Sequence, residues 1–162
     1  MLNRKQLQFR KRFLSPFRQK FYFLGSLPIA LITGIRLVHL DESVSVSQIP
    51  YRWVNKNPFD SMYFAVQSMA AELSTAAHVI LALEGLGIDV AFIIVDLKAD
   101  FVQKARSRIF FTFTDYHRIC ETVGQIRTPG DVATVQVKTT GVDENDEQVA
   151  TFYFTWSFKL RS

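Results

Sequence analysis

Glu72 occupies the least expected setting of any ionisable residue in this chain. It stands within NPFDSMYFAVQSMAAELSTAAHVILALEG, residues 57–85, and from Ser61 through Leu83 there is no other acid and no Lys or Arg. On a helix, no i,i+4 ion pair could then offset its burial. A carboxylate that loses water without gaining a partner is costly, and its pKa rises toward neutrality. Such a group can serve as a general base or as a nucleophile. Ser68, Met69, Thr75 and Ala76, one turn to either side, are small, polar or soft. They would leave room above the carboxylate. The purely structural alternative is an Arg or Lys reaching Glu72 from another element, or escape of its head group to solvent at a helix edge.

Other chemistries have less support. His39, His78 and His117 are widely spaced and belong to no HExxH, HxH or Cys/His cluster, so no metal site is expected. Walker loops, GxGxxG and GxSxG are absent, which removes the signals for phosphate-loop and serine-hydrolase chemistry. The one cysteine, Cys120, lies in RICET and is expected to be inert packing. Lys104, Arg106 and Arg108 in QKARSRIFF precede or begin a strand and could meet phosphates, whether of a nucleic acid or of a phosphorylated cofactor. A solvated strand end is the commoner origin of such a pattern. With no recognition-helix or RRM signature beside them, nucleic acid is not expected as a partner.

The elements that must position these residues follow from periodicity. Asn57 before Pro58, with Asp60 at a capping-box position, predicts a helix from there to about Glu84, stopped by Gly85 and Gly87. It would be about 40 Å long. Without a broad polar stripe it should be buried on most sides. Upstream, Ile35–Ile49 reads as a strand, most cleanly in SVSVSQI, followed by a loop, PYRWVNKNP. Downstream come VAFIIVDLKADF, SRIFFTFTD, VATVQVKTTG and EQVATFYFTWSFKL, all rich in β-branched and aromatic residues, with VDENDEQ as a hairpin turn and YHRICETV as a short helical interruption. The order predicts an α+β domain with an antiparallel sheet.

The 162 residues suit one domain of ordinary size, and 48% hydrophobic with 21% charged residues is a globular composition. Fifteen Phe suggest an apolar binding surface. The net charge of +4 is concentrated: no acid precedes Asp41, whereas Arg4, Lys5, Arg10, Lys11, Arg12, Arg18, Lys20 and Arg36 do. Residues 1–34 therefore read as a basic helical arm and 35–162 as the main domain. Helices are expected over 3–14, from there to Leu24, and in LPIALITG, with the arm packed on the domain and its cations solvated. Membrane contact by the arm is not expected. A lone cysteine and no secretory signal point to a reducing compartment, the cytoplasm.

A strand, a loop, a long buried helix and then an antiparallel sheet together resemble the hotdog fold, in which the sheet wraps the helix. Over about residues 35–160 the chain resembles hotdog thioesterases of the phenylacetate-pathway (PaaI-like) type and a thioesterase-like family of unassigned function. Their pattern runs Asn, His-Gly-Gly six positions later, and Asp nine positions after the His; Asn57, Tyr63 and Glu72 keep that spacing, with Tyr63-Phe64-Ala65 in place of His-Gly-Gly and Glu in place of Asp. The resemblance implies an acyl-CoA thioesterase, a homodimer or tetramer with an acyl tunnel between subunits. Glu72 would be base or nucleophile and Asn57 would position water or thioester. Tyr63, Phe64 and Ala65 would supply oxyanion amides, with Ser68 beside the substrate. Lys104, Arg106 and Arg108 would lie near coenzyme A, which enters only as part of the substrate; no cofactor is implied. Loss of His-Gly-Gly suits an alternative, a non-catalytic protein binding acyl or aromatic ligands. A hotdog dehydratase would need a histidine in PYRWVNKNP, which has none.

Overall fold

A computed structural model describes residues 2–86 and 88–161. The chain runs α1 (Arg4–Leu14), α2 (Pro16–Ser26), α3 (Pro28–Thr33), β1 (Arg36–Leu40), β2 (Ser45–Ile49), α4 (Phe64–Leu86), β3 (Val90–Phe101), β4 (Ile109–Phe113), α5 (Tyr116–Val123), β5 (Val132–Val142) and β6 (Gln148–Leu160). All pairings are antiparallel, and the strands lie in the order β1-β2-β4-β5-β6-β3. The α+β class and the long central helix agree with the sequence reading.

Two boundaries differ from it. The Ile35–Ile49 run is a hairpin rather than one strand, because Asp41 turns the chain: its Oδ1 accepts from the amides of Ser43 and Val44, both at 2.8 Å. The core helix begins at Phe64, not at Pro58. Asn57 does cap backbone amides, but those of a turn, accepting from Phe59 N at 2.9 Å and Ser61 N at 3.3 Å. Asp60 sits in the left-handed region at φ 54°, and a bridge between Lys56 and Met62 closes the loop. Asn and Asp side chains offer the backbone this local alternative to a helix, which is why an N-cap signal and a turn signal look alike in sequence. At the other end Gly85 lies inside α4, which ends at Leu86; the predicted stop at Gly87 falls outside the described residues.

α4 is long and apolar enough to cross a membrane by length and composition, yet it is mostly buried, and it is the core helix around which the sheet packs. The sheet grips it by hydroxyls as well as by hydrophobes. Ser47 of β2 donates to the Ala70 carbonyl, Ser74 shares a 2.9 Å hydrogen bond with Thr139 of β5, and Trp156 of β6 donates to Thr75 at 3.1 Å. Around these contacts the sheet contributes Phe111, Phe113, Phe152, Phe154 and Phe158, all essentially inaccessible. Gly141 is required beside them, since a Cβ there would come within 2.5 Å of the Phe111 ring.

The N-terminal arm is seated on the same core. Phe9, Phe13 and Phe23 are buried in it, and Gln6 Nε2 donates to the Leu81 carbonyl at 2.9 Å. Asn3 and Gln6 form a reciprocal capping box at the start of α1.

Candidate active site

α4 is buried along most of its circumference, and its more open face carries Ala65, Ser68, Met69, Glu72, Ile80 and Leu83 at helical spacing. Glu72 is half-buried in the middle of that face. Among the described residues its carboxylate has no hydrogen bond and no ion pair, so the alternative in which an Arg or Lys from another element pairs with it is not realised. Burial alone pushes its pKa up, to about 7. The backbone beneath it is fixed: Thr75 Oγ1 donates to the Glu72 carbonyl at 3.0 Å and is itself held by Trp156. An exchangeable proton thus sits on a positioned helix turn with nothing bonded to its carboxyl group.

Asn57 is fully engaged in shaping the loop. Besides its two backbone acceptor contacts, its Nδ2 donates to Ser61 Oγ at 3.0 Å and to the Met62 carbonyl at 3.5 Å. Tyr63 follows; its amide donates to the Asn55 carbonyl at 2.8 Å, and its own carbonyl accepts from Val66 N at 3.1 Å. The Tyr63 amide is therefore not available to an oxyanion, which corrects one expectation. Those of Phe64 and Ala65 have no protein acceptor among the described residues and open the first turn of a 23-residue helix. Unbonded N–H groups at a helix start favour negative charge. The Tyr63 and Phe64 rings stand against each other at 4.9 Å, both exposed.

These residues border an apolar cavity of about 570 Å³ lined by Asn57, Met62, Tyr63, Phe64, Phe101 and Lys104, among others. The segment after β3 is tied to its rim: Met62 N donates to the Ala105 carbonyl at 2.8 Å, Lys104 Nζ to the Phe59 carbonyl and Arg106 Nε to the Asp60 carbonyl, both at 3.1 Å. Two of the three predicted cations are thus brought to the loop that opens α4. Arg108 is exposed two residues further on, next to the start of β4.

Sequence reasoning passed over Gln67. It lines the cavity at 4% exposure, donates through Nε2 to the Met62 carbonyl at 3.2 Å, and leaves a buried Oε1 without a partner. A polar residue three after Phe64, where a buried face was expected, was the available signal. His78 is also buried; its Nε2 donates to the Asp41 carbonyl at 2.7 Å and its ring stacks on Tyr116 at 4.7 Å. Burial holds its pKa down near 4, so it remains a neutral hydrogen-bond donor. Cys120, expected in packing, is exposed on α5.

No family model and no curated protein matches this sequence. Solved structures match it in three dimensions. The fold is the hotdog fold. A probable thioesterase from Pseudomonas aeruginosa superposes with a TM-score of 0.71 at 19% identity, covering 93% of this chain and 99% of its own. A thioesterase from Haemophilus influenzae gives 0.64 at 15% identity, with 88% and 90% covered. The Escherichia coli PaaI protein, from the phenylacetic acid degradation operon, gives 0.63 at 16%, with 100% and 97% covered. Within this hotdog, β3 is an edge strand of 12 residues whose Ile93, Val95 and Leu97 are exposed. Long apolar edges of this kind are templates for pairing with another chain.

Proposed function

We propose that this protein hydrolyses an acyl thioester at a site shared by two copies of the chain. The observation that supports this best is the Glu72 carboxylate, unpartnered and poised near neutrality on the open face of a hotdog core helix. The amides of Phe64 and Ala65 are the donors suited to the thioester carbonyl. Ala65 and Glu72 lie seven residues apart on one helix, about 10 Å along the axis. An attacking group and an oxyanion hole must both lie within about 3 Å of the reacting atoms. One copy cannot bring both to the same carbonyl, so the acid comes from a second copy, paired through the apolar edge of β3.

In this reading Glu72 removes a proton from water as it attacks the carbonyl carbon. The tetrahedral oxyanion is held by the Phe64 and Ala65 amides, and the C–S bond then breaks, the thiolate taking the proton from the Glu72 carboxyl. Direct attack by Glu72 would instead break the C–S bond, release the thiolate and leave a mixed anhydride, which water opens to the free acid and the regenerated Glu72 carboxylate. Asn57 acts by holding the loop, Ser68 borders the substrate one turn from Glu72, and the apolar cavity takes the acyl or aryl group. Lys104, Arg106 and Arg108 face the phosphates of a coenzyme A moiety that arrives with the substrate. A cytoplasmic setting fits that substrate and the free thiol of Cys120.

A second reading has one observation in its favour. Phe64 and Ala65 stand where the PaaI-like pattern keeps glycines, and the Phe64 ring lies against that of Tyr63, suiting a protein that binds an acyl or aromatic ligand without hydrolysing it. Purified protein assayed against acyl-CoAs of graded chain length decides between them. Turnover that falls about 100-fold or more in Glu72→Ala and Glu72→Gln, with binding retained, supports hydrolysis. Unchanged turnover in both variants overturns the role of Glu72, and tight binding without turnover of any acyl-CoA establishes the binding reading.

A further inference from the structure

The arm was expected to present a solvated, charged face, but the outward side of α2 is apolar. Its inner side is held by Gln19, whose Nε2 donates to the Phe13 carbonyl at 2.8 Å and the Leu37 carbonyl at 3.1 Å, and by Phe23, buried against Phe13. Directly opposite, at i, i+4 and i+7, stand Phe17, Phe21 and Leu24, exposed to 77%, 75% and 65%. α3, packed beside α2, adds exposed Ile29 and Ile32. Phe17, Phe21 and Leu24, adjacent by their spacing, alone leave on the order of a few hundred Å² of apolar surface in water, as large as the patches that mark interaction sites, and Ile29 and Ile32 add to the apolar exposure of the arm.

Cations frame this surface. By helical geometry Arg18 and Lys20 flank the Phe17–Phe21–Leu24 stripe on its two sides. Beside it opens a cleft of about 580 Å³ whose described lining includes Lys5, Lys11, Arg12 and Arg18 against a single acid, Glu84. None of the 15 acids of the chain precedes Asp41.

We propose that the outer face of α2 and α3 docks on an anionic phospholipid surface, the rings entering the headgroup boundary and the cleft cations meeting lipid phosphates. Apolar residues central and basic residues peripheral is the arrangement by which helices lie in a membrane interface. The alternatives fit less well. A symmetric contact with a second copy would set Arg18 and Lys20 against their own counterparts. Nucleic acid would match the cations and leave the Phe, Leu and Ile side chains uncovered. The inference is independent of the hydrolase reading.

Co-sedimentation of the full chain with vesicles tests it, using phosphatidylcholine alone and phosphatidylcholine with phosphatidylserine. The wild type should bind the anionic vesicles at least about tenfold more tightly than the neutral ones and be released by high salt. Phe17→Ser/Phe21→Ser and, separately, Arg12→Glu/Arg18→Glu should each weaken binding about tenfold or more with an unchanged melting temperature, since all four side chains lie outside the core. Absence of wild-type binding to anionic vesicles overturns the proposal. So does binding undiminished in Phe17→Ser/Phe21→Ser, or a loss of self-association in that variant with vesicle binding intact.

Discussion

Trp156 donates its indole N–H to Thr75 Oγ1 at 3.1 Å, and Thr75 donates onward to the Glu72 carbonyl at 3.0 Å, so the sheet holds the very helix turn that carries the acid. Both side chains are buried. Thr75→Val keeps the shape and leaves the indole N–H unsatisfied, at a cost of about 1–3 kcal/mol. Thr75→Ser should retain most of the stability. Chemical denaturation of the two variants checks this; equal stability of Val and wild type would remove the link.

Glu72 and His78 pull the pH dependence of stability in opposite directions. The carboxyl, raised to about 7 by burial, binds protons more readily folded than unfolded, so stability rises as pH falls from about 7 to the ordinary carboxylate range. His78, lowered to about 4 by burial, does the reverse: its unfolded form protonates first, and stability falls from about pH 6.5 toward 4. Each contributes at most about 3 kcal/mol, Glu72 less because it is only half-buried. The wild type should be nearly flat between about pH 4.5 and 6.5. Glu72→Gln should be more stable than wild type at pH 8 and lose stability steeply on acidification, whereas His78→Leu should gain stability over the same range. Melting temperatures across that range measure both slopes.

Thioester turnover should follow the ionised fraction of Glu72. The expected profile of kcat/KM rises with pH through about 7 to a plateau. A profile flat from pH 5 to 8 in the wild type would mean that another group carries the proton.

Ile93→Lys with Leu97→Lys places charges on the β3 edge without touching the core. Sedimentation should report a monomer that melts as a folded protein. Turnover should disappear with the partner, because Glu72 and the Phe64 and Ala65 amides of one copy do not converge. A fully active monomer would overturn the shared site.

Gly141→Ala should cost about 1–3 kcal/mol by driving a methyl group into the Phe111 ring. Combining it with Phe111→Leu should cost less than the sum of the two changes, which a double-mutant cycle measures directly.

Much of the architecture was legible because burial writes its period into the sequence. The apolar run around Glu72 announced a core helix, and VATVQVKTTG and EQVATFYFTWSFKL announced strands that pair across VDENDEQ in the structure. Less legible were places where one side chain decides between two local solutions. Asn57 offered either a helix cap or a turn, and Asp41 turned a strand-like run into a hairpin; in each case the choice rested on which backbone amides came within reach.

The sequence by itself determined that a lone carboxylate would lie within an apolar helix, that strands rich in Phe and Val would surround it, and that positive charge would collect before Asp41. Those properties follow from residue type and spacing. Only the tertiary structure decided that among the described residues no cation reaches Glu72 and no group pairs with the buried Gln67 oxygen, that Lys104 and Arg106 latch onto the loop before α4, and that the Phe17 and Phe21 rings of α2 face outward. Each depends on contacts between segments distant in the chain, where the placement of one element sets what is left exposed or unpaired on another, and no local pattern carries that information.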